Sequence, residues 1–356
     1  MRTFTFLWVA FAICLTGWAQ NSPAISSQPG LVLSEFVADI PPTRSSHAST
    51  IIESQETLLA AWFGGIKERS PDVSIYLARN EGKGWSEPVE VANGIREKDH
   101  LRYPTWNPVL FRAKDGPLYL FYKEGPSPSD WWGLLKTSDD NGRTWSKSKR
   151  LPSNIFGPIR NKPIQLNDGT ILCGSSSENE GWRIHMERTK NPLGAWTRTT
   201  SLNSPLAVGL IQPTILDWPN QPLQILCRSK NGSIYSSTSD DLGFTWHRPL
   251  LTDLPNPNSA IDGVVLRDGR ALLVYNHTEN NRNVMNVAIS KDGQKWAAAL
   301  TLENDPQGEF SYPAVVQAND RLVHITYTWK REKIRHVVLD PSLLVTQPIV
   351  EGRWPW

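Results

Sequence analysis

A turn motif recurs along this chain about every fifty residues. The best copies read SDDNGRTW at residues 138–145 and SDDLGFTW at residues 239–246, a shorter copy reads SKDGQKW at residues 290–296, and degenerate copies end at Trp85 and Trp196. Asp and Asn side chains bond to backbone N–H groups two residues further on, and glycine adopts positive φ, so the motif is typical of a tight turn between strands. Its tryptophan would bury a ring between neighbouring sheets. The motif therefore indicates scaffold rather than catalytic machinery.

A second repeat runs in phase with the first, and it consists of a turn followed by an apolar strand. Its six copies begin at Glu56, Gly116, Gly169, Gln221, Gly269 and Asp320. Six units of about four strands each predict an all-β, six-bladed β-propeller, in which radial repetition leaves few exposed strand edges. The segment from Leu31 to Phe36 would supply a strand that closes the ring onto the last blade.

The N-terminal residues have the pattern of a secretory signal peptide. A basic residue, Arg2, precedes an apolar run from Phe4 to Leu15, and small residues lead to a cut after Ala19. The apolar run is shorter than the roughly twenty residues that cross a bilayer. We therefore expect a signal peptide at residues 1–19, a single propeller domain at residues 20–356, a secreted or periplasmic location, and no membrane span after cleavage.

Composition argues against several classes of ligand. The chain has 37 basic and 35 acidic residues, so no overall field favours nucleic acid or a membrane surface. No cluster has metal-ligand spacing, no glycine-rich loop joins a strand to a helix, and no serine nucleophile elbow occurs, so we expect no metal or cofactor. We expect a monomer. Cys173 and Cys227 hold equivalent places in successive repeats, too far apart for a disulfide, which predicts two free, buried thiols.

The sixteen tryptophans exceed what a core of this size usually needs. The sequence pattern places four of them in loops outside the repeat: Trp106, Trp131, Trp132 and Trp182. Such rings either stack on the apolar faces of sugars or pack within their loops.

Polar residues that break the repeat are the candidates for a binding site, because loops from all blades of a propeller converge on one face of its axis. The candidates are His47, Asp72, Trp106, Asn107, Arg160, Lys162, His185, Gln212, Arg228, His277, Arg282 and Tyr312. The basic members of the set favour an acidic ligand.

The box-like turns resemble the Asp boxes of the sialidase superfamily, and the resemblance covers nearly the whole mature chain. Arg228 and Arg282 resemble the second and third arginines of the family's carboxylate-binding triad. Tyr312, within Phe-Ser-Tyr-Pro-Ala-Val, resembles the nucleophilic tyrosine, and Asp72 falls where the family keeps its acid/base aspartate. The resemblance implies a site over the propeller axis, opposite the Asp boxes, and an exo-acting glycoside hydrolase that removes a terminal acidic sugar.

This constellation has a clear physical basis. A planar guanidinium holds a sugar carboxylate by paired, charge-assisted hydrogen bonds. That carboxylate would repel a carboxylate nucleophile, so a neutral phenol takes its place, as in the recognised exceptions to two-carboxylate glycosidases. A phenol titrates near 10, so it needs a base beside it.

The sequence departs from the family pattern at two positions. His47 stands where the family has its first triad arginine, and Gln212, which cannot take a proton, stands where the family has the glutamate beside the tyrosine. Histidine suits proton transfer near neutral pH. Two alternatives therefore stay open. One is a histidine-based enzyme on uronate polysaccharides, either a lyase or rhamnosidase-like. The other is a non-catalytic carbohydrate-binding propeller.

Overall fold

The computed structural model describes residues 28–96, 100–179 and 181–356. The predicted signal peptide lies outside the described residues. The strands of the described part, in chain order, are β1 (Leu31–Phe36), β2 (Ser45–Ser54), β3 (Thr57–Gly65), β4 (Ser74–Asn80), β5 (Val89–Ala92), β6 (Thr105–Arg112), β7 (Leu118–Ser127), β8 (Asp130–Ser138), β9 (Lys149–Arg150), β10 (Ile164–Gln165), β11 (Ile171–Ser177), β12 (Arg183–Thr189), β13 (Thr197–Arg198), β14 (Leu210–Leu216), β15 (Leu223–Ser229), β16 (Ser233–Ser239), β17 (Leu250–Pro255), β18 (Asp262–Val265), β19 (Ala271–Tyr275), β20 (Val284–Ser290), β21 (Trp296–Asn304), β22 (Phe310–Gln317), β23 (Val323–Trp329), β24 (Lys333–Leu339) and β25 (Gln347–Pro348).

These strands form six antiparallel sheets, and each sheet is one blade. Blades one to four are meanders of four consecutive strands, β2–β5, β6–β9, β10–β13 and β14–β17. Blade five contains β18–β21 with β25 as a fifth strand at its edge, and blade six contains β22–β24 with β1. The predicted six-bladed propeller is confirmed. Within the described residues, no helix is long and apolar enough to cross a membrane.

The N-terminal strand closes the ring as the sequence predicted. Strand β1 pairs antiparallel with β24, with Leu33 opposite Val338 and Phe36 opposite Arg335. Glu35 on β1 accepts hydrogen bonds from the Trp85 indole of blade one, at 2.9 Å, and lies 2.9 Å from His336 of blade six. Closure therefore joins the first and last blades by both backbone pairing and side-chain bonds.

Each box tryptophan packs in or against an apolar cluster between blades. Trp145 packs against the cluster shared by blades one and two, Trp246 against that of blades three and four, and buried Trp296 belongs to that of blades four and five. Full burial of a large apolar side chain contributes about 1.5–3 kcal/mol, so these rings, only one of which is more than partly buried, help to hold neighbouring blades together.

The box turns bond mainly within themselves. In the box at residues 138–145, Asp140 accepts hydrogen bonds from the Thr144 N–H at 2.8 Å and from the Thr144 hydroxyl at 2.5 Å. The Gly142 N–H donates to the Ser138 hydroxyl at 2.7 Å. Asn141 and Gly142 both have positive φ, 60° and 82°. The other full box, at residues 239–246, repeats these bonds. The turn therefore depends on residues five apart at most, and a short sequence window can reveal it.

Three of the four tryptophans that were expected in loops lie in strands. Trp106 is in β6, and Trp131 and Trp132 are in β8. Trp106 and Trp131 are buried and pack edge-to-face with ring centroids 5.9 Å apart, so core packing accounts for both. Trp182 lies in a loop. Cys173 and Cys227 are buried and free, as predicted.

Candidate functional site

Four of the predicted residues converge at one face of the propeller. His47 and Tyr312 lie near the starts of β2 and β22, Arg228 lies near the end of β15, and Arg282 precedes β20. Consecutive strands of a blade run in opposite directions, so these positions share one face. The box turns join third strands to fourth strands, which places them on the opposite face.

The first strand of four blades carries a β-bulge at this face. The register shifts between His47 and Thr50, Trp106 and Val109, Ile211 and Thr214, and Ser311 and Ala314. Within these bulges Ala48, Asn107, Gln212 and Tyr312 have positive φ, between 42° and 55°. Such a conformation costs about 1–3 kcal/mol for a residue other than glycine, and bulges commonly re-aim a side chain beside a functional site. Proline follows three of the four residues, a signal that is visible in the sequence.

Three guanidinium groups surround the ring of Tyr312. The Cζ atoms of Arg160, Arg228 and Arg282 lie 5.4, 5.7 and 5.8 Å from the ring centroid. Nη1 of Arg228 donates to the phenol oxygen at 3.0 Å and to Oε1 of Gln212 at 3.3 Å. Burial raises the pKa of Tyr312, but the charges of Arg228 and Arg282 outweigh burial, and the net shift is downward. The cluster therefore stabilises negative charge at the phenol oxygen.

Asn258 bridges two of these arginines, and the sequence analysis missed it. Nε of Arg228 donates to its side-chain carbonyl oxygen at 2.8 Å, and Nη2 of Arg282 donates to its backbone carbonyl at 3.0 Å. Asn258 has a φ of 57°. Its only sequence signal is the loop Asn-Pro-Asn at residues 256–258, which any tight turn would also show.

His47 is buried against Tyr312, with ring centroids 4.2 Å apart. Its Nδ1 lies 2.9 Å from the hydroxyl of Thr328, which also accepts the Ala48 N–H at 3.1 Å. Burial, then the charge of Arg331 and the pocket arginines, holds the pKa of His47 well below its ordinary value. His47 is therefore a neutral imidazole at neutral pH, and it adds no cation where the family has its first arginine.

The third cation comes from blade three instead. Arg160 is 3% exposed, its Nη1 donates to Oδ1 of Asn161 at 2.9 Å, and its Nε has no partner among the described residues. A buried donor without a partner is costly, by about 1–3 kcal/mol, and a bound anion would relieve that cost.

A further ionic group, also missed by the sequence analysis, lies at the edge of the cluster. Nε of Arg331 bonds to Glu309 at 2.8 Å, and its Nη1 pairs with Glu68. Nη1 of Arg282 lies 3.5 Å from Glu309. These residues come from the loops of blades one, five and six and follow no repeat pattern, so they have no local signal in the sequence.

Trp182 supplies an aromatic surface beside the same cluster. Its ring is partly buried, and Arg228 and Lys230 lie over it, with Cζ and Nζ at 5.2 and 4.4 Å from the ring.

Other predicted site residues have contacts outside the cluster. Oδ2 of Asp72 accepts the Ile66 N–H at 2.7 Å, which fastens the loop between β3 and β4 at its base. Nζ of Lys162 bonds to Asp262 at 2.9 Å, and this buried carboxylate also accepts the Thr214 hydroxyl at 2.7 Å. Both predicted residues remain on the pocket face, but their side-chain bonds are structural.

The remaining predicted residues pack within or between blades. The indole of Trp106 donates to the carbonyl of Gly125 at 2.9 Å, and the amide of Asn107 donates to Ile159 at 3.3 Å. His277 lies 2.8 Å from the carbonyl oxygen of Gly352, and its ring centroid is 4.9 Å from that of Trp354. Its ring is thus held between the Tyr275 hydroxyl of β19 and the segment that follows β25, which the sequence analysis did not place. His185 is fully buried.

The fold and its box turns define an Asp-box β-propeller of the sialidase superfamily, and this chain is a divergent member. The profile of the BNR repeat-like domain matches residues 56–325, so the chain belongs to the BNR repeat-like family. No curated protein sequence matches the chain.

Solved structures share the fold at low sequence identity. A Dyadobacter fermentans protein of unknown function is 14% identical, with a TM-score of 0.71 over 88% of this chain and 99% of that one. A Hadza microbial sialidase is 16% identical, with a TM-score of 0.74 over 88% and 69%. The NanB sialidase of Streptococcus pneumoniae is 11% identical, with a TM-score of 0.70 over 89% and 71%.

Proposed function

We propose that this protein is an exported glycoside hydrolase of sialidase type that removes a terminal acidic sugar from a glycan. The observation that carries the proposal is the placement of three guanidinium groups within 6 Å of one phenol ring. Three cations around a single neutral nucleophile suit a sugar that bears a carboxylate beside its anomeric carbon.

Tyr312 would attack the anomeric carbon while the glycosidic bond breaks and an acid gives its proton to the departing oxygen. Water would then release the sugar from the tyrosine. Arg228 donates a hydrogen bond to the phenol oxygen and lowers its pKa, which favours the attacking form. Asp72 is our candidate for the acid/base because it lies on the same face, in the loop before β4.

Neutral His47 would take the place of the family's glutamate partner of the tyrosine. The imidazole lies against Tyr312, and no described residue bonds to its Nε2. Burial and the neighbouring arginines disfavour its protonated form, so His47 would hold a proton only briefly. Gln212 holds the Arg228 guanidinium by a neutral bond.

The test is the release of 4-methylumbelliferone from its α-linked N-acetylneuraminic acid and β-linked glucuronic acid derivatives, with β-glucoside as the neutral control. Tyr312→Phe should lower kcat by at least about a thousandfold, in the range that covalent catalysis commonly contributes. Tyr235→Phe is the matched control, since that phenol also accepts a hydrogen bond, from Asn231 at 2.8 Å, outside the cluster. Full activity of Tyr312→Phe on an acidic substrate would refute the assignment of Tyr312 as the nucleophile.

A second candidate, a uronate lyase, is favoured by one observation. His47 is a neutral imidazole beside Tyr312 and the arginine cluster, where it or the phenol would take the proton next to a carboxylate held by Arg228 and Arg282. A lyase leaves an unsaturated product that absorbs in the near ultraviolet, whereas a hydrolase leaves none. If the imidazole takes the proton, His47→Ala should abolish formation of that product and Tyr312→Phe should not. Binding of an acidic glycan without any turnover would instead indicate a carbohydrate-binding propeller, to which Gln212 gives some support.

A further inference from the structure

Three buried titratable side chains lie behind the cluster and have no part in the proposed chemistry. They are Lys123 near the end of β7 and His185 and Glu187 on β12, and all are fully buried. Burial lowers the pKa of Lys123 to about 7. Burying charged groups costs several kcal/mol for each ion, so an arrangement of this kind needs an explanation.

The carboxylate of Glu187 is saturated with hydrogen bonds. It accepts the Phe156 N–H at 3.0 Å, the Gly157 N–H at 2.6 Å, and a bond with Nε2 of His185 at 2.9 Å. Two of these partners are consecutive backbone groups of one loop of blade three. The other buried group, the Lys123 amine, acts on the next residue, because its Nζ donates to the carbonyl of Pro158 at 2.9 Å.

The following residue of the loop is held as well. The Ile159 N–H donates to the carbonyl of Gly174 at 3.1 Å, and its carbonyl accepts the amide of Asn107 at 3.3 Å. Every residue from 156 to 159 is thus fixed by a group outside the loop, and the next residue is Arg160. Charge-assisted bonds to backbone groups are among the stronger hydrogen bonds in a protein interior.

We propose that Lys123 and Glu187 are positioning residues that fix the loop of residues 156–159, so that the Arg160 guanidinium faces Tyr312 and binds an anionic group of the ligand. The unpartnered Nε of Arg160 is the donor that such an anion would satisfy. The proposal rests on the proposed function for the class of ligand, an acidic sugar. The positioning of the loop is independent of it.

The chain offers a matched control for Lys123. Nζ of Lys136 also donates to a backbone carbonyl of another blade, that of Val91, at 2.7 Å, but that segment carries no residue of the cluster. Lys123→Met and Lys136→Met each remove one bond of this kind, and they differ in whether that bond holds the loop of Arg160.

The first measurement is hydrogen exchange of the peptide that spans residues 151–162. Lys123→Met and Glu187→Gln should each speed exchange of the Phe156 and Gly157 amides by about tenfold or more, the first by releasing the adjacent Pro158 carbonyl and the second by weakening the bonds of the two amides themselves. Lys136→Met should leave these amides unchanged. Unchanged exchange in both Lys123→Met and Glu187→Gln would overturn the proposal, whatever the protein binds.

The second measurement is calorimetric binding of N-acetylneuraminic acid and glucuronic acid to the full chain. Arg160→Gln and Lys123→Met should each weaken binding of the acid that wild type prefers by about tenfold or more, and the double variant should be within about twofold of Arg160→Gln alone. Multiplying losses in the double variant would show that Lys123 acts elsewhere and would overturn the proposal. If wild type bound neither acid, the proposed function would fail, and hydrogen exchange would still decide the positioning role.

Discussion

The two faces of the propeller hold their polar groups in opposite ways. On the box face, Asp140 and Asp241 satisfy their oxygens with backbone and hydroxyl groups at most four residues away. On the pocket face, Tyr312 contacts side chains from blades one, three and four and from the loop before β20 in blade five. The box face is made of repeating turns whose carboxylates bond locally, whereas the pocket face combines residues that follow no repeat and that come from several blades.

This difference separates stability from function. A turn whose polar side chains bond within it stabilises the fold locally. The pocket gathers three guanidinium groups around one phenol, an arrangement that no local turn requires and that is typical of binding sites. Changes on the two faces should therefore move different measurements.

The largest expected effect after Tyr312→Phe comes from Arg228→Gln. Its guanidinium bonds to Tyr312, Gln212 and Asn258, so removal should lower kcat/KM on an acidic substrate by at least about a hundredfold. Arg188→Gln is the control on the box face, where Nη1 of Arg188 donates to Leu242 at 2.7 Å. That variant should lower the melting temperature and keep kcat/KM within about twofold. Equal losses of activity in both variants would remove the distinction between the faces.

A smaller loss of activity is expected from Asn258→Ala. The change deletes the acceptor of Arg228 Nε but keeps the backbone carbonyl that Arg282 uses. KM for the acidic substrate should rise by about tenfold, with kcat less affected, because the arginine is still present but less well oriented. Steady-state kinetics check this, and an unchanged KM would mean that Asn258 does not orient the Arg228 guanidinium.

Asp241→Ala, in a box turn, should lower stability and leave activity unchanged. Loss of bonds to the Thr245 N–H and hydroxyl should loosen the turn and lower the melting temperature by a few degrees at most, because the carboxylate is exposed to solvent. Calorimetry and kinetics on the same sample measure both quantities. A large fall in kcat with no change in melting temperature would contradict the assignment of the boxes to scaffold.

The smallest predicted effect concerns pH and the closure of the ring. Burial, and then the neighbouring His336, lower the pKa of His324 to about 4, and His336 in turn contacts Glu35 of β1. Because the unfolded chain binds this proton more tightly than the folded one, stability should fall as pH falls from about 6.5 to 4. Asp320 is the carboxylate near His324, with oxygen and Nε2 3.8 Å apart. Across this range the melting temperature should depend less on pH in His324→Gln than in wild type. An unchanged pH dependence would exclude His324 as the cause.

Local repetition explains what the sequence could reveal. The boxes and the turn–strand repeat predicted six blades and a closing strand at Leu31–Phe36, because both signals lie within short windows. The convergence of Tyr312, Arg228 and Arg282 was expected from family-like motifs, and the structure brings them together. The family's first arginine is replaced by His47, and the third guanidinium beside Tyr312 belongs to Arg160, since which loop reaches the axis depends on packing between blades.

Residues without a local pattern could not be placed from the sequence. Asn258 and Arg331 lie in ordinary turns, and only the assembled ring brings them to the cluster. His277 was expected at the pocket, but its ring bonds to the Tyr275 hydroxyl and to the segment after β25, which follows no repeat. Trp106 was expected in a loop, but it is the second residue of β6. Proline and aromatic residues around the start of this strand obscure the alternation of polar and apolar residues that would reveal it.

The central claim is that the cluster of Arg160, Arg228 and Arg282 binds the negative charge of a sugar carboxylate. The most direct test is calorimetric binding of N-acetylneuraminic acid and glucuronic acid, each compared with its methyl ester, which keeps the shape and removes the charge. At least one acid should bind, and its ester should bind weaker by at least about thirtyfold, the loss expected for charge-assisted bonds. Equal binding of each acid and its ester would contradict the claim.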